Sequence, residues 1–371
     1  TKPYKEVVDS FVTVSTKYFG NPSSLHGLGA QAEGLLSQAR KQVAKLLEVK
    51  EQEIYFTSGG TEGNNLAIKG VAIAYQNRGK HIIVSSIEHA SVGKACEQLK
   101  ELGFEITYIP VDELGRVSAS DIIAAVRDET ILVTVMHVNN EVGSIQPIKE
   151  IGEGLKDFPK VFFHVDAVQS VGKIPLSLKE NEIDLCTISG HKFHGLKGTG
   201  VLYIRDGIKL SALFSGGEQE RKMRSGTENV AGAVCLAKAL RISMEKTRNG
   251  EGQFVEIMTY IRSELEKIDG IVIHTPTEYS APHILNFSVP KIKSEVLVHA
   301  LEEKGVYVST TSACSSKNKA ISETVLMMTN SEELAISSIR ISLTYENSMD
   351  EAKQFIKVFR EVLKNLKEVM R

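Results

Sequence analysis

The stretch ISGHKFHGLKGTGVLYIR, Ile188–Arg205, sets two lysines, two histidines and four glycines between apolar residues. Its reading decides the fold. Glycines beside a lysine suggest a phosphate-cradling loop, but that motif needs G-x-x-x-x-G-K-[S/T] with a helix behind it. Gly195, Gly198 and Gly200 lack that spacing, and the following VLYIR is strand-like. Lys192 therefore sits in a turn between two strands, just past the apolar run Asp184–Ser189. Lys197 is read as structural.

Working outward, short β-rich runs alternate with helical patterns. Strands are expected at Glu53–Thr57, His81–Ser85, Glu105–Ile109, Ile131–His137, Val161–Val165, Asp184–Ser189 and Gly200–Ile204. Several are apolar without alternation, as in strands buried on both faces. Helical periodicity fills Leu25–Leu47, Glu62–Asn77, Ser91–Leu102, Ser118–Val126 and Ile148–Lys156. Such alternation predicts an α/β fold, a mostly parallel seven-stranded sheet sandwiched by helices, with ligands at the carboxyl ends of the strands. Beyond Val230 the pattern changes to a long helix, Ala231–Lys267, expected to join the domains rigidly. Short strands near Ile271–His274 and Ile284–Val289, a helix at Ser294–Glu303 and a last helix from Asp350 then predict a smaller α+β domain. The large domain is assigned to residues 14–247, the small one to 1–13 with 248–371.

The 371 residues are 42% apolar and 24% charged, with a formal net charge of −2. That balance gives no electrostatic case for nucleic acid or an anionic membrane. Apolar runs such as Ile131–Val138 are too short to span a bilayer, and TKPYKEVVDS lacks the apolar stretch of a signal peptide. The four cysteines, Cys96, Cys186, Cys235 and Cys314, show no CxxC or zinc spacing. Reduced thiols in a cytoplasmic protein, without a metal, are the expectation.

A lysine amine can form a Schiff base with pyridoxal phosphate. That cofactor asks for a carboxylate at its ring nitrogen, a stacking partner, donors for its phosphate, and a cation for the substrate carboxylate. Alone, Lys192 would be read as a solvated surface residue. The other parts are present at successive strand ends. VFFHVDAVQSVGK puts Asp166 at the end of an apolar strand, where a turn-forming role is the plain alternative. TSGGTEGNNLAIKG puts Gly59, Gly60 and Thr61 at a helix start, suited to phosphate, although an ordinary Thr N-cap reads the same way. SSIEHASV places His89, and MHVNNEVGSIQ places Asn139, Asn140 and Glu141, just past two further strands.

Together SGHKFHGLKGTG, HVDAVQS, TSGGTEGNNLAIKG, HVNNEVG and RKMRSGTENV resemble the fold-type I, class V aminotransferase superfamily, and within it the NifS/IscS-like cysteine desulfurases. The resemblance covers essentially the whole chain. It implies that Lys192 binds pyridoxal 5'-phosphate covalently, Asp166 pairs with the ring nitrogen, and Gln169 bonds the ring oxygen. His89 would stack on the ring and move protons. Thr61, Ser189 and His191 would hold the phosphate, and Thr227 would reach the phosphate of a partner subunit, making a homodimer. Asn140 would lie near the ring oxygen and the substrate carboxylate, and Arg340 would bind that carboxylate, although an exposed strand arginine is the plain reading of Arg340.

Cys314, in VSTTSACSSKNK, lies among polar residues rather than in a core pattern. Exposed free thiols are avoided unless used, and the family places its sulfur-accepting cysteine in such a loop. The implied reaction takes L-cysteine to L-alanine through a Cys314 persulfide. The sulfur then passes to an acceptor protein, a scaffold for iron-sulfur clusters or a thiolation enzyme. Two positions depart from the family pattern: Thr311 stands where Gly is usual, and Gly63 where Ser or Ala is usual. The alternatives are a selenocysteine lyase, another class V aminotransferase, or a sulfur-carrier partner with a degenerate site. Cys314 speaks against an aminotransferase, and the intact Lys192, Asp166, His89 and Arg340 against degeneracy.

Overall fold

The computed structural model describes residues 1–310 and 321–369. The chain divides into two compact units, residues 1–109, 118–137 and 147–247, and residues 110–117, 138–146 and 248–371.

The first unit carries strands β1 (Ile54–Thr57), β2 (His81–Ser85), β3 (Glu105–Ile109), β4 (Thr130–Met136), β5 (Phe162–Asp166), β6 (Leu185–Ser189) and β7 (Gly200–Ile204). They form one seven-stranded sheet in the order β1-β7-β6-β5-β4-β2-β3. From β3 to β6 every pairing is parallel, whereas β7 runs antiparallel to both β6 and β1. Strands β2, β4, β6 and β7 are buried along their whole length, which is why their sequences run apolar without alternation. Helices α1 (Lys5–Lys17), α2 (Gly27–Leu46), α3 (Gly60–Tyr75), α4 (Ala90–Glu101), α5 (Ala119–Ala124) and α6 (Ile148–Leu155) belong to this unit, with the first part of α7 (Val230–Glu266). Helix α3 lies in the core: Leu66, Ala67, Ile68 and Val71 are fully buried with Ile82, Val84 and Leu202.

Two buried histidines bridge strands. His164 joins the Thr134 hydroxyl at 2.7 Å to the Thr187 hydroxyl at 3.0 Å, and His81 joins Thr130 at 2.7 Å to Thr107 at 2.8 Å. Burial pushes the His164 imidazole down to about 3, so it stays neutral and can donate at one nitrogen and accept at the other.

Helix α1 was not foreseen, and residues 1–13 fall in the first unit rather than in the small domain. Its valines Val7, Val8, Val12 and Val14 and threonines Thr13 and Thr16 are weak helix formers, and Tyr4 offers no side-chain cap. Packing decides instead. The Cys235 thiol donates to the Val7 carbonyl at 3.2 Å, Lys238 donates to Ser10 at 2.8 Å, and Val14 is buried with Ala32, Val230 and Ala231.

The second unit holds β8 (Val272–Ile273), β9 (Ile284–Ser288), β10 (Ser309–Thr310) and β11 (Ser338–Ser342), an antiparallel sheet in the order β10-β11-β9-β8. Its helices are α8 (Ser294–Glu302), α9 (Glu323–Thr329), α10 (Glu332–Ile336), α11 (Met349–Val369) and the latter part of α7. Ala352, Phe355, Ile356, Phe359, Val362 and Leu363 make the buried stripe of α11, spaced as a 3.6-residue repeat demands, and pack with Leu285, Phe287, Leu297 and Ile339. Segments 110–117 and 138–146, expected in the large domain, cluster here because their hydrogen bonds do. Ala281 donates to the Gly143 carbonyl at 2.8 Å, the Thr275 hydroxyl to the Val142 carbonyl at 2.7 Å, and Arg116 to the Ile145 carbonyl at 2.8 Å.

Among the described residues no helix is long and apolar enough to cross a membrane, and no group of three or more histidine, cysteine, aspartate or glutamate side chains could hold a metal.

Candidate active site

The carboxyl ends of β5 and β6 and the amino end of α3 converge in the first unit. Asp166, the last residue of β5, is 5% exposed. One carboxylate oxygen accepts from the Val168 N–H at 2.9 Å and the other from the Asn64 amide at 2.7 Å, so the group is fixed rather than left to rotate. Gln169 lies three residues on in the same turn, half-buried.

The turn between β1 and α3 supplies a cradle. Gly59 has φ +149°, a conformation that side-chain-bearing residues rarely adopt. It lets the chain pass close to β6: a Cβ on Gly59 would lie 3.6 Å from the Ser189 hydroxyl, and one on Gly60 2.9 Å from Val168. The first-turn N–H groups of α3, with Thr61 exposed among them, are open to an anion. The Ser189 hydroxyl meets the His191 ring at 2.9 Å. Burial and the neighbouring Lys192 charge push His191 down to about 4, so it is neutral at physiological pH. Lys192 ends the short 3-10 turn Gly190–Lys192, half-buried.

Gly63, one turn into α3, shows why this chain departs from Ser or Ala. A Cβ there would lie 2.8 Å from the Thr187 methyl of β6. The threonine fills the space that a larger residue on the helix would occupy, while its hydroxyl serves His164.

His89 caps α4, and its Nδ1 accepts from the Ser91 N–H at 3.1 Å. The adjacent Glu88 carboxylate accepts at one oxygen from the Ser85 hydroxyl at 2.5 Å and the Met136 N–H at 2.7 Å; the other oxygen is sealed from solvent without a partner. Burial, reinforced by the Asp166 charge, pushes Glu88 up to about 8. Sequence reasoning passed over Glu88, Asn64 and Ser91. The signal for Asn64 was present: it is a lone amide in line with Ile68 and Val71 on the buried stripe of α3.

Thr227 is exposed and lines, with Thr57, Ser58 and Thr199, a surface pocket in the same unit. Arg224 ties its segment to α3 through Glu62 at 2.9 Å. The segment before it is strained, with Glu220, Arg221 and Lys222 at φ +45°, +54° and +68°. The Arg40–Glu220 pair at 2.7 Å and the Phe56 N–H on Glu220 at 2.8 Å hold it there.

Asn140 and Arg340 come together in the second unit. The Arg340 guanidinium donates to the Asn140 carbonyl at 2.5 Å, and the Asn139 side chain caps the turn by accepting from the Glu141 and Val142 N–H groups, each at 2.8 Å. Glu141 accepts from the Ser322 hydroxyl at 2.5 Å, and burial raises it to about 7. Cys314 and Thr311 lie outside the described residues. Cys96, Cys186 and Cys235 are buried free cysteines, as their apolar contexts indicate.

The donor set of the first unit fits pyridoxal phosphate. A fixed, buried carboxylate, a lysine in a strand-end turn, and a glycine-opened helix start beside a hydroxyl and a neutral imidazole are the groups that this cofactor asks for.

The family model described as aminotransferase class-V matches residues 1–355. A NifS/IcsS protein homolog of Lactobacillus delbrueckii subsp. bulgaricus is 46% identical over 100% of this chain and 96% of its own. Cysteine desulfurase IscS of Methanosarcina thermophila is 42% identical over 98% of this chain and 90% of its own. Among solved structures, a NifS-like protein superposes with a TM-score of 0.93 at 37% identity, covering 98% of this chain and 97% of the other. With a family match along most of its length, a matching fold and full-length relatives, the chain belongs to the class V aminotransferase family.

Proposed function

We propose that the residues gathered above make this chain a pyridoxal-phosphate-dependent cysteine desulfurase, which takes sulfur from L-cysteine and leaves L-alanine. The observation that carries the reading is the anchored Asp166 carboxylate, set between the start of α3 and the Ser189–Lys192 turn. The cofactor supplies an electron sink for the electron pair left when the substrate loses its α-proton. Asp166 keeps the ring nitrogen protonated, so that the sink stays open. Lys192 would hold the cofactor, and its amine is the group placed to move the substrate's α-proton. His89 would face the cofactor ring and would assist proton transfer at Nε2, its Nδ1 being held by Ser91. Thr61, Ser189 and His191 bind the phosphate, and Gln169 the ring oxygen. Arg340 and Asn140 hold the substrate carboxylate. The Cys314 thiolate attacks the substrate sulfur, the C–S bond breaks, and the carbon skeleton takes up protons to leave as L-alanine. The sulfur remains as a Cys314 persulfide until an acceptor protein takes it, for iron-sulfur clusters or for thiolation.

The exposed position of Thr227 supports its reaching a partner subunit's phosphate, and hence a homodimer. A cytoplasmic location belongs to the same proposal, on the reading of the cysteines as reduced thiols.

The test is mass spectrometry after incubation with L-cysteine, with an added sulfur expected on Cys314. The protein is expected to be yellow. Cys314→Ala should stay yellow and release no sulfide, and sulfide and alanine at the native rate from this variant would refute the persulfide step. A colourless protein, with no borohydride-fixed adduct at Lys192, would refute the cofactor's attachment.

A further inference from the structure

Asp166 and His89 are joined by a hydrogen-bonded chain that the mechanism above does not use. The Asn64 amide nitrogen donates one hydrogen to the Asp166 carboxylate at 2.7 Å and the other to the Ser91 hydroxyl at 2.8 Å. Its orientation is set by chemistry: reversed, the amide oxygen would face a carboxylate. Asn64 Oδ1 is left buried without a partner, at a net loss that only the two donated bonds offset. Ser91 Oγ already accepts from Asn64, so its own hydrogen turns to His89 Nδ1, 2.8 Å away. The Ser91 backbone N–H also points to Nδ1 at 3.1 Å. Two donors on Nδ1 make it an acceptor, and the proton of the neutral ring lies on Nε2. Asn64 is 1% exposed and Ser91 9%, so no water competes for these bonds.

We propose that Asn64 and Ser91 are positioning residues that tie the Asp166 carboxylate to the His89 imidazole, holding the ring in place and in its Nε2–H tautomer. This rests on the roles assigned above to Asp166 and His89. A shift in one anchor is felt at the other through two side chains, each of which has one orientation compatible with its neighbours.

The test uses the holoenzyme. Ser91→Ala and Asn64→Leu should each lower kcat about tenfold with KM for L-cysteine changed less than about twofold, because each removes the Asn64–Ser91 bond that carries the link. The double variant should again be lower by about tenfold, not a hundredfold, because either change breaks the same chain. Ser91→Thr, which keeps the hydroxyl, should restore kcat. In protein labelled with ¹⁵N-histidine, the His89 Nδ1 signal should move in Ser91→Ala toward that of a more weakly hydrogen-bonded acceptor, since the backbone N–H at position 91 is then left without the hydroxyl beside it. If Ser91→Ala does not fold, Asn64→Leu with the same readouts takes its place. Multiplicative losses in the double variant, or unchanged kcat and ring signals in the single ones, would overturn the proposal. Full turnover in His89→Gln would overturn it together with the role given to His89. Lost turnover in His89→Gln with native turnover in Ser91→Ala would overturn the link alone.

Discussion

Glu88→Gln should make the protein's stability less sensitive to alkali. Burial, aided by the Asp166 charge, moves the Glu88 carboxyl from an ordinary 4.5 to about 8 in the folded chain. Below pH 4.5 the group is protonated in both the folded and the unfolded states and contributes nothing to pH dependence. Between 4.5 and 8 the unfolded chain ionises alone, so folded stability falls as pH rises. Above 8 both states ionise and the loss is constant. Integrated from pH 5.5 to 9, a shift of this size amounts to about 3 kcal/mol, an upper figure before local relaxation. Glutamine keeps the acceptor for the Ser85 hydroxyl and the Met136 N–H but cannot ionise. Its amide nitrogen takes the place of the unpartnered oxygen, costing about 1–2 kcal/mol at every pH. The variant should therefore be about as stable as the native protein at pH 5.5 and the stronger at pH 9. The chain has no tryptophan, so urea unfolding is best followed by far-UV circular dichroism, on native and variant protein side by side. Stability curves that stay parallel from pH 5.5 to 9 would refute the argument.

Gly63→Ala should destabilise the first unit by about 1–3 kcal/mol in urea unfolding, because the new methyl meets the Thr187 methyl. Adding Thr187→Ser, which removes that methyl and keeps the hydroxyl for His164, should recover most of the loss. Arg40→Met should lower stability by about 3 kcal/mol, since it takes the paired guanidinium from the 3% exposed Glu220 carboxylate while the Phe56 N–H stays. Lys222→Gly should raise the melting temperature by about 2 °C, relieving a left-handed backbone at φ +68°.

The sequence was most informative where local chemistry and tertiary structure agree. The strands His81–Ser85, Glu105–Ile109 and Gly200–Ile204 begin and end where their residue types change, and the structure keeps those bounds. The polar residues at strand ends were legible because parallel sheets in this class place chemistry there. What escaped was decided by packing across long sequence distances. Nothing local says that β7 turns antiparallel and lies between β1 and β6, or that residues 138–146 hydrogen-bond with 275–286. Helix α1 was hidden by its β-branched residues. Asn64 and Ser91 lie 27 residues apart, and only the folded chain makes them neighbours. The two-residue strand β10 is too short to carry any periodicity.

Burial raises the Cys96 thiol to about 12 and the Cys235 thiol to about 11, and pushes Cys186 further still. At neutral pH these three are essentially without thiolate, and the folded protein shields them from reagents. The fold has thus silenced three of its four thiols. A maleimide or disulfide reagent added to the native protein should leave Cys96, Cys186 and Cys235 unmodified, so labels attached elsewhere need no background in which these three are first replaced.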